Sequence, residues 1–208
     1  IPKKNITPVA GKPLIMYTTQ LLNELDWVDA AVVSTDSEEI AAVATAGHTA
    51  EVVWRPTELA GDRVGDIPVL AHALADLESR EGQQFDVVVM LQPTSPLRNA
   101  DDVLRCTTLL IAGAWDAVWS VSKTNLAYHP EKQVQISENG ALDFFIESGA
   151  SIVARQELKP AFHRNGVSYA FTSDFVRTGD SVFSPGRSTA IVTSGRHISI
   201  DTYADVAA

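Results

Sequence analysis

Short apolar runs alternate with longer stretches of helical spacing along the first 131 residues. The runs predict strands, and the longer stretches predict helices. The predicted strands are 29–35 (DAAVVST), 51–54 (EVVW), 85–91 (FDVVVML) and 116–121 (DAVWSV), and the predicted helices are 36–47, 69–79 and 100–112. Apolar strands separated by helices are typical of a mostly parallel sheet covered on both faces. The pattern therefore predicts an α/β fold.

The alternation breaks at Lys132. Residues 132–147 (KQVQISENGALDFFIE) predict two strands joined at Asn139-Gly140, a dipeptide that favours the tight turn of a β-hairpin. The alternation of predicted strands and helices returns in three later segments, 165–176, 188–193 and 197–208. We therefore expect one α/β domain, formed by residues 1–131 and 164–208, with a β-rich arm of residues 132–163 inserted into it.

The chain is acidic, with 16 Lys and Arg against 26 Asp and Glu and a net charge of −10. Such a chain is a poor partner for nucleic acid or an anionic membrane surface. No apolar run approaches the roughly 20 residues that cross a bilayer. Because Cys106 is the single cysteine, no internal disulfide can form. We expect a cytoplasmic protein with Cys106 in its core, in which an anionic ligand needs a local basic pocket.

Polar side chains follow the most apolar predicted strand, and ligands of open α/β sheets bind beyond the carboxyl ends of strands. In LQPTSPLR (91–98), two prolines restrict the backbone of a turn. The polar residues of this turn are Gln92, Thr94, Ser95 and Arg98. Local sequence alone is equally compatible with an ordinary turn that leads into a helix. No G-x-G-x-x-G motif or Walker-type loop follows a predicted strand, which argues against dinucleotide binding.

Three lysines lie within the first twelve residues of this acidic chain. Surface lysines are usually only solvated, and in STDSEEIA (34–41) Asp36 or Ser37 is expected simply to cap a helix. The series of motifs changes this interpretation. Seven segments follow one another along the chain: IPKKN, GKPLI, STDSEEIA, RPTELAGD, LQPTSPLR, RQELKPAFHRNGVSY and IDTYAD.

In their order and approximate spacing, these segments make the chain resemble the acylneuraminate cytidylyltransferases, or CMP-sialic acid synthetases, almost from end to end. The resemblance implies a nucleotide-diphospho-sugar transferase-like fold. It also implies an activity in which the anomeric hydroxyl of a nine-carbon 2-keto acid attacks the α-phosphate of CTP. The products would be the CMP-sugar and pyrophosphate, and Mg²⁺ would be required.

The resemblance assigns the nucleotide site residue by residue. Lys4 and Asn5 match the end of the family's basic, glycine-rich phosphate loop, and Arg55 matches a position near the nucleotide. We expect the rest of that loop and a first strand to precede Ile1. Lys4 would be catalytic, because it can offset charge on the α-phosphate and on pyrophosphate. The family's metal-binding D-x-D reads S-I-D here, which leaves Asp201 as the expected catalytic Mg²⁺ ligand, although capping of the last helix by Asp201 is an alternative.

The resemblance also implies a sugar site and a homodimer. The matching sugar-site residues are Gln92, Tyr169, Phe183 for the acyl substituent, and the cations Lys132 and Arg155 for the carboxylate. In the family the arm pairs two subunits and can place side chains at the neighbour's site.

Two alternatives stay open. The acid sugar could be legionaminic, pseudaminic or a shorter Kdo-like acid. The chain could also be a catalytically weak nucleotide-binding homologue, which is favoured by Ser199 in place of Asp and by the missing glycine-rich half of the phosphate loop. Gly65 stands where the family has a small hydroxyl residue, so one expected contact to the nucleotide is missing.

Overall fold

The computed structural model describes residues 1–47, 50–61 and 63–206. The helices are α1 (Leu14–Leu21), α2 (Glu38–Thr45), α3 (Asp66–Glu81), α4 (Ala100–Ala112), α5 (Ser173–Thr178) and α6 (Tyr203–Val206). The strands are β1 (Pro8–Val9), β2 (Lys12–Pro13), β3 (Val32–Thr35), β4 (Glu51–Trp54), β5 (Val87–Met90), β6 (Ala117–Lys123), β7 (Val134–Ile136), β8 (Leu142–Phe144), β9 (Phe162–Thr172) and β10 (Ser188–Val192). Asp62, at the end of the RPTELAGD motif, and the last two residues of the segment 197–208 lie outside the described residues.

The central sheet has four strands in the order β10-β6-β9-β5. Strand β10 is parallel to β6, whereas β9 is antiparallel to both β6 and β5. The prediction of a mostly parallel sheet is therefore wrong, and the sheet is mixed. The reason is the connection from β6 to β9, which contains no α-helix, while neighbouring parallel strands need a long crossover that is usually helical.

Helices cover both faces of this sheet, as the sequence predicted. On one face, Phe171 of β9 packs with Leu74 of α3 and Val176 of α5. On the other face, Ala170 packs with Cys106 of α4. Because Ala170 and Phe171 are adjacent in β9, their side chains point to opposite faces of the pleat. The two buried clusters fix the sheet between the helices.

Cys106 lies in the core as expected. Its thiol donates to the carbonyl of Val118 at 3.2 Å. Burial raises the pKa of this thiol to about 11, which keeps the sulfur protonated at neutral pH. The residue is therefore structural.

Strands β3 and β4 form a separate parallel pair, with Val32 opposite Glu51 and Thr35 opposite Trp54. Helix α2 begins after Ser37, whose hydroxyl accepts a hydrogen bond from the Ile40 backbone N–H at 3.4 Å. The predicted cap is thus confirmed. None of the helices in the described ranges is long and apolar enough to cross a membrane.

The segment 124–161, between β6 and β9, leaves the central sheet. Strands β7 and β8 pair with each other, with Val134 opposite Phe144, which confirms the predicted hairpin. Gly140 adopts a φ of 83° in the turn, a conformation in which glycine carries little penalty. Large apolar side chains of this segment are exposed in the isolated chain: Val134, Ile136, Leu142, Phe144, Phe145, Ile146 and Val153.

Candidate active site

A wide bulge in β9 shapes the centre of the molecule. Trp119 of β6 lies opposite Tyr169, but Val121 lies opposite Arg164. Residues 165–168 of β9 therefore occupy the space opposite one residue of β6, Ser120. The Ser120 hydroxyl donates to Asn165 Oδ1 at 2.7 Å and accepts from the Ser168 N–H at 2.8 Å. Bulges bend a strand and change the direction of its side chains. Here the bulge directs the Asn-Gly backbone toward the loop after β5.

Arg98 joins this bulge to the LQPTSPLR loop. Its Nε donates to the carbonyl of Val167 at 2.5 Å, and one terminal nitrogen donates to the carbonyls of Gln92 at 2.6 Å and Gly166 at 3.0 Å. The other terminal nitrogen donates to Thr18 Oγ1 at 2.7 Å. Arg98 is only 8% exposed, and its burial lowers the pKa of the guanidinium to about 10. The sequence had placed Arg98 among the displayed polar residues, but its side chain lies inside the fold.

A polar cavity of about 300 Å³ lies between the loop and the bulge. Its walls include Asp66, Gln92, Arg164, Gly166, Tyr169 and Ser199. Two of the residues predicted for the sugar site, Gln92 and Tyr169, are therefore in one cavity. Burial raises the pKa of the Tyr169 hydroxyl, so it stays protonated at neutral pH and can donate a hydrogen bond.

An aromatic group adjoins the cavity. The Trp119 ring lies edge-to-face with Tyr169, at 5.7 Å between centroids, and with Phe183, at 5.9 Å. The guanidinium carbon of Arg164 lies 5.4 Å from the Trp119 ring centroid, which is within the range of a cation–π contact. Phe183 is 51% exposed, so it is accessible to a ligand.

Sequence reasoning missed both Arg164 and Trp119. Arg164 directly precedes the Asn-Gly motif, and Trp119 interrupts an otherwise small and β-branched strand. Those positions could have drawn attention to the two residues. Their contact depends on the bulge in β9, however, and no local pattern predicted the length of that bulge.

Lys4 and Asp201, the two predicted catalytic residues, are in direct contact. Lys4 Nζ lies 2.7 Å from Asp201 Oδ1, and the Ser199 hydroxyl donates to Asp201 Oδ2 at 2.6 Å. These hydrogen bonds, the one from Lys4 first, lower the pKa of the Asp201 carboxyl. The Ile200 N–H donates to the carbonyl of Thr94 at 2.8 Å, which fixes residues 199–201 beside the loop after β5. The ion pair therefore lies at the edge of the cavity that Ser199 lines.

Asp201 does not cap α6, so the alternative role considered for it is wrong. The backbone N–H groups of Asp201 and Thr202 donate to the carboxylate of Asp205, at 3.0 and 2.7 Å. The Thr202 hydroxyl accepts from the Asp205 N–H at 3.4 Å, which completes a capping box. The Asp201 carboxylate is left to face Lys4 and Ser199.

Residues 199–201 offer one carboxylate and one hydroxyl as possible metal ligands. No group of three or more His, Cys, Asp or Glu side chains suited to a metal is found in the described residues. Mg²⁺ is commonly held by one or two carboxylates together with substrate phosphates and water. Asp201, with the Ser199 hydroxyl beside it, fits that kind of partial protein site.

Asn5 and Arg55 lie on two different elements. Asn5 is half-buried in a short 3-10 turn, Lys4–Ile6, directly after Lys4. Arg55 follows β4, and its guanidinium donates to the carbonyl of Ser34 at 2.7 Å and contacts the Ser34 hydroxyl at 3.3 Å. Arg55 thus connects the carboxyl ends of β3 and β4, where nucleotides bind in open α/β sheets.

Lys132 and Arg155 line a second cavity, of about 590 Å³, together with Lys123 at the end of β6. Three cations therefore surround this space. The residues assigned to the sugar site are thus divided within one chain. Gln92 and Tyr169 share the first cavity, Phe183 adjoins it through Trp119, and the two cations of the arm line the other.

The fold is that of a nucleotidyltransferase. It is similar to the solved structure of a CMP:2-keto-3-deoxy-manno-octonic acid synthetase complexed with CTP, with a TM-score of 0.66 over 96% of this chain and 87% of that one, at 15% identity. Residues 1–180 match the family model described as cytidylyltransferase, so the chain belongs to the cytidylyltransferase family and is an enzyme of the nucleotidyltransferase class. The family resemblance drawn from the seven segments is confirmed.

Two relatives illustrate the range of the family. The pseudaminic acid cytidylyltransferase of Campylobacter jejuni is 29% identical over 206 residues, which cover 99% of this chain and 87% of the relative. The N-acylneuraminate cytidylyltransferase of Streptococcus agalactiae is 31% identical over 173 residues, which cover 81% of this chain and 39% of the relative.

Proposed function

We propose that this cytidylyltransferase transfers CMP from CTP to a nonulosonic, sialic-type acid, with release of pyrophosphate. The names of its relatives support this class of substrate, and pseudaminic acid fits as well as an N-acylneuraminic acid. The similarity to the CMP:2-keto-3-deoxy-manno-octonic acid synthetase is one of fold, at 15% identity, so it gives a Kdo-like sugar less support than the names of the relatives give a nonulosonic acid.

The observation that carries the proposal is the position of Ser199. This residue lines the polar cavity, and its hydroxyl also donates to Asp201, the partner of Lys4. A sugar in the cavity would therefore lie beside phosphates bound at Lys4. Catalysis by positioning requires this arrangement, because the two reacting groups must be held next to each other.

In the proposed reaction, the anomeric hydroxyl of the sugar loses its proton to solvent, and its oxygen forms a bond to the α-phosphorus of CTP. The bond from that phosphorus to the bridging oxygen of pyrophosphate breaks. Lys4 would stabilise the negative charge on the phosphate oxygens during this exchange. Lys4 and Asp201 are 29% and 56% exposed, and exposed ion pairs contribute only about 0–1 kcal/mol. CTP can therefore displace Asp201 from Lys4 at little energetic cost.

We further propose that Mg²⁺ takes part, with Asp201 as its protein ligand and Ser199 beside it. When bound, the ion would neutralise part of the charge of the triphosphate. A serine hydroxyl is a weaker partner for a hard dication than a carboxylate, so phosphates and water would supply the other ligands.

The cavity supports the proposed sugar site with three kinds of contact. Gln92 and Tyr169 offer hydrogen bonds to hydroxyl groups. Phe183 and Trp119 offer an apolar surface for an acyl substituent. Arg164 carries a positive charge at the same cavity and suits a carboxylate through its planar fork of donors, whereas the two cations of the arm line the other cavity.

The test of the proposed function is release of pyrophosphate from the purified protein. The assay would combine each of CTP, ATP, GTP and UTP with a panel of N-acetylneuraminic, pseudaminic, legionaminic and Kdo acids, with Mg²⁺ and after EDTA treatment. We expect release with CTP, a nonulosonic acid and Mg²⁺ together. Release with another nucleotide, or with Kdo alone among the sugars, would contradict the proposal.

We propose that the arm pairs two copies of this chain. The exposed apolar side chains of segment 124–161 include Ile136, Leu142 and Phe145, at 73%, 64% and 67% exposed. Ile136 lies opposite Leu142 in the hairpin, and large exposed apolar patches mark interaction surfaces. In a symmetric dimer, each arm would reach the other subunit and bring Lys132 and Arg155 toward the cavity that contains Gln92.

A mixed dimer would test this arrangement. One subunit would carry Arg155→Ala and the other Gln92→Ala, each of which should lower activity with the acid sugar about ten- to a hundredfold in a homodimer. If the arms cross, a mixed dimer contains one site in which both residues are wild type. Random mixing should then restore activity to about a quarter of the wild-type value.

Sedimentation of the wild-type protein gives the oligomeric state independently. Mixed protein no more active than the average of the two single variants would mean that Arg155 acts on its own subunit or not at all. Sedimentation as a monomer at assay concentration would contradict the dimer itself.

A further inference from the structure

We propose that Arg98 is a positioning residue of the sugar site, which sets the shape of the cavity by holding the loop after β5 against the bulge in β9. The inference rests on the proposed function, because it assigns the first cavity to the acid sugar. Arg98 would not touch the substrate. It would act through Gln92 and Gly166.

The contacts of Arg98 join two walls of one cavity. A single guanidinium nitrogen donates to the carbonyls of Gln92 and Gly166, at 2.6 and 3.0 Å, and both of these residues line the cavity. Nε donates to the next carbonyl of the bulge, that of Val167. The distance between the two walls is therefore fixed by one rigid, planar group.

A second contact also joins the loop to the bulge. The Ser95 hydroxyl donates to the carbonyl of Asn165 at 3.1 Å, and Ser95 is only 2% exposed. The loop and the bulge are thus connected at three consecutive carbonyl groups, those of residues 165–167. Arg98 supplies two of the three side-chain hydrogen bonds between them, and its bond to the carbonyl of Gln92 holds the loop itself.

The charge of Arg98 also bears on which sugar the cavity would bind. No carboxylate in the described part of the chain pairs with this guanidinium, whose hydrogen-bond partners are carbonyl and hydroxyl oxygens. A buried cation without a counter-ion is costly, even when its donors are satisfied. A fixed positive charge behind the wall would favour an anionic sugar over a neutral one.

The chain offers a matched control for the purely structural role. Thr18, on α1, accepts a hydrogen bond from the other terminal nitrogen of Arg98, and Thr18→Val removes this bond without removing the loop-to-bulge contacts. Arg98→Lys keeps the charge and most of the side-chain volume, but a single ammonium group cannot reproduce the planar set of donors that contacts both walls. Both variants remove buried hydrogen bonds, so both should lower stability.

The experiment measures KM and kcat for the acid sugar and for CTP, with thermal unfolding of each variant. For Arg98→Lys we expect kcat/KM for the sugar to fall about tenfold or more, with KM for CTP nearly unchanged. For Thr18→Val we expect a lower melting temperature with both KM values unchanged. Ser95→Ala should raise the sugar KM by a smaller factor, about two- to fivefold.

Equal effects of Arg98→Lys on sugar and CTP, or an unchanged sugar KM in folded Arg98→Lys, would overturn the proposal. If Arg98→Lys does not fold, Ser95→Ala decides, and an unchanged sugar KM in that variant overturns it. The wild-type assay separates this outcome from failure of the proposed function. A wild type that is inactive with every acid sugar contradicts the proposed function. An active wild type whose variants have unchanged sugar kinetics contradicts only the role of Arg98.

Discussion

Replacing Lys4 by methionine is expected to lower kcat about a hundred- to a thousandfold, the range seen when one preorganised donor is removed from charge that develops in a transition state. Methionine keeps most of the length of the side chain and removes its charge. The effect should fall on the chemical step, because Lys4 contacts Asp201 at the edge of the cavity where the phosphates are proposed to bind. Binding of the acid sugar should change little.

Lys3 is a matched control for this substitution. It has the same charge and adjoins Lys4 in sequence, but its Nζ pairs with Glu39 of α2 at 2.7 Å, and both side chains are well exposed. Such surface pairs contribute about 0–1 kcal/mol. Lys3→Met should therefore retain a kcat within about twofold of the wild-type value.

Steady-state kinetics with saturating CTP and sugar measures both variants, and calorimetry gives their CTP affinity. The assignment of Lys4 fails if Lys3→Met and Lys4→Met lower kcat by the same factor. It also fails if Lys4→Met changes only the melting temperature. Either result would mean that the basic start of the chain acts through structure or overall charge.

The elements of the fold were largely predictable, because strands and helices follow local spacing. The apolar run at Val87–Met90 and the capping residue Ser37 are signals of a few residues, and both were confirmed. The orientation of β9 was not predictable in this way. It depends on the path of segment 124–161, which is set by contacts between residues far apart in sequence.

The candidate site was predictable in part for the same reason. Gln92 and Tyr169 were named from sequence motifs, and the structure brings them into one cavity. Whether a polar residue of a motif faces the ligand or the core was not predictable. Arg98 and Arg164 both lie beside the Asn-Gly bulge, yet Arg98 is buried and Arg164 lines the cavity. The bulge is held by a hydrogen bond between Ser120 and Asn165, which are far apart in sequence.

Gly166→Ala is expected to lower kcat/KM for the acid sugar about a hundredfold, since small misplacements of binding groups have effects of this size. Gly166 has a φ of 71°, which alanine adopts at a cost of about 1–2 kcal/mol. A Cβ atom at this position would also lie 2.6 Å from Ser95 Oγ and 3.4 Å from Gln92 Oε1. The Ser95 hydroxyl is buried and bonded to Asn165, so it cannot move away freely.

Gly82→Ala separates the backbone effect from the collision. Gly82 has a φ of 67° at the end of α3, and a Cβ atom there would meet nothing within 4 Å. This variant should therefore show the loss of stability, about 1–2 kcal/mol, without any change in kinetics. Thermal unfolding and sugar kinetics of the two variants give the comparison directly.

The double variant Gly166→Ala, Ser95→Ala tests the geometry more closely. Removal of the Ser95 hydroxyl leaves Ser95 Cβ as the nearest atom of that residue, at 3.9 Å, an ordinary contact distance. The double variant should therefore recover about tenfold in kcat/KM for the sugar relative to Gly166→Ala, although it loses the Ser95 hydrogen bond. No recovery would mean that the collision with Ser95 does not limit the site. Kinetics of Gly166→Ala like those of Gly82→Ala would show that the bulge is not part of the sugar site.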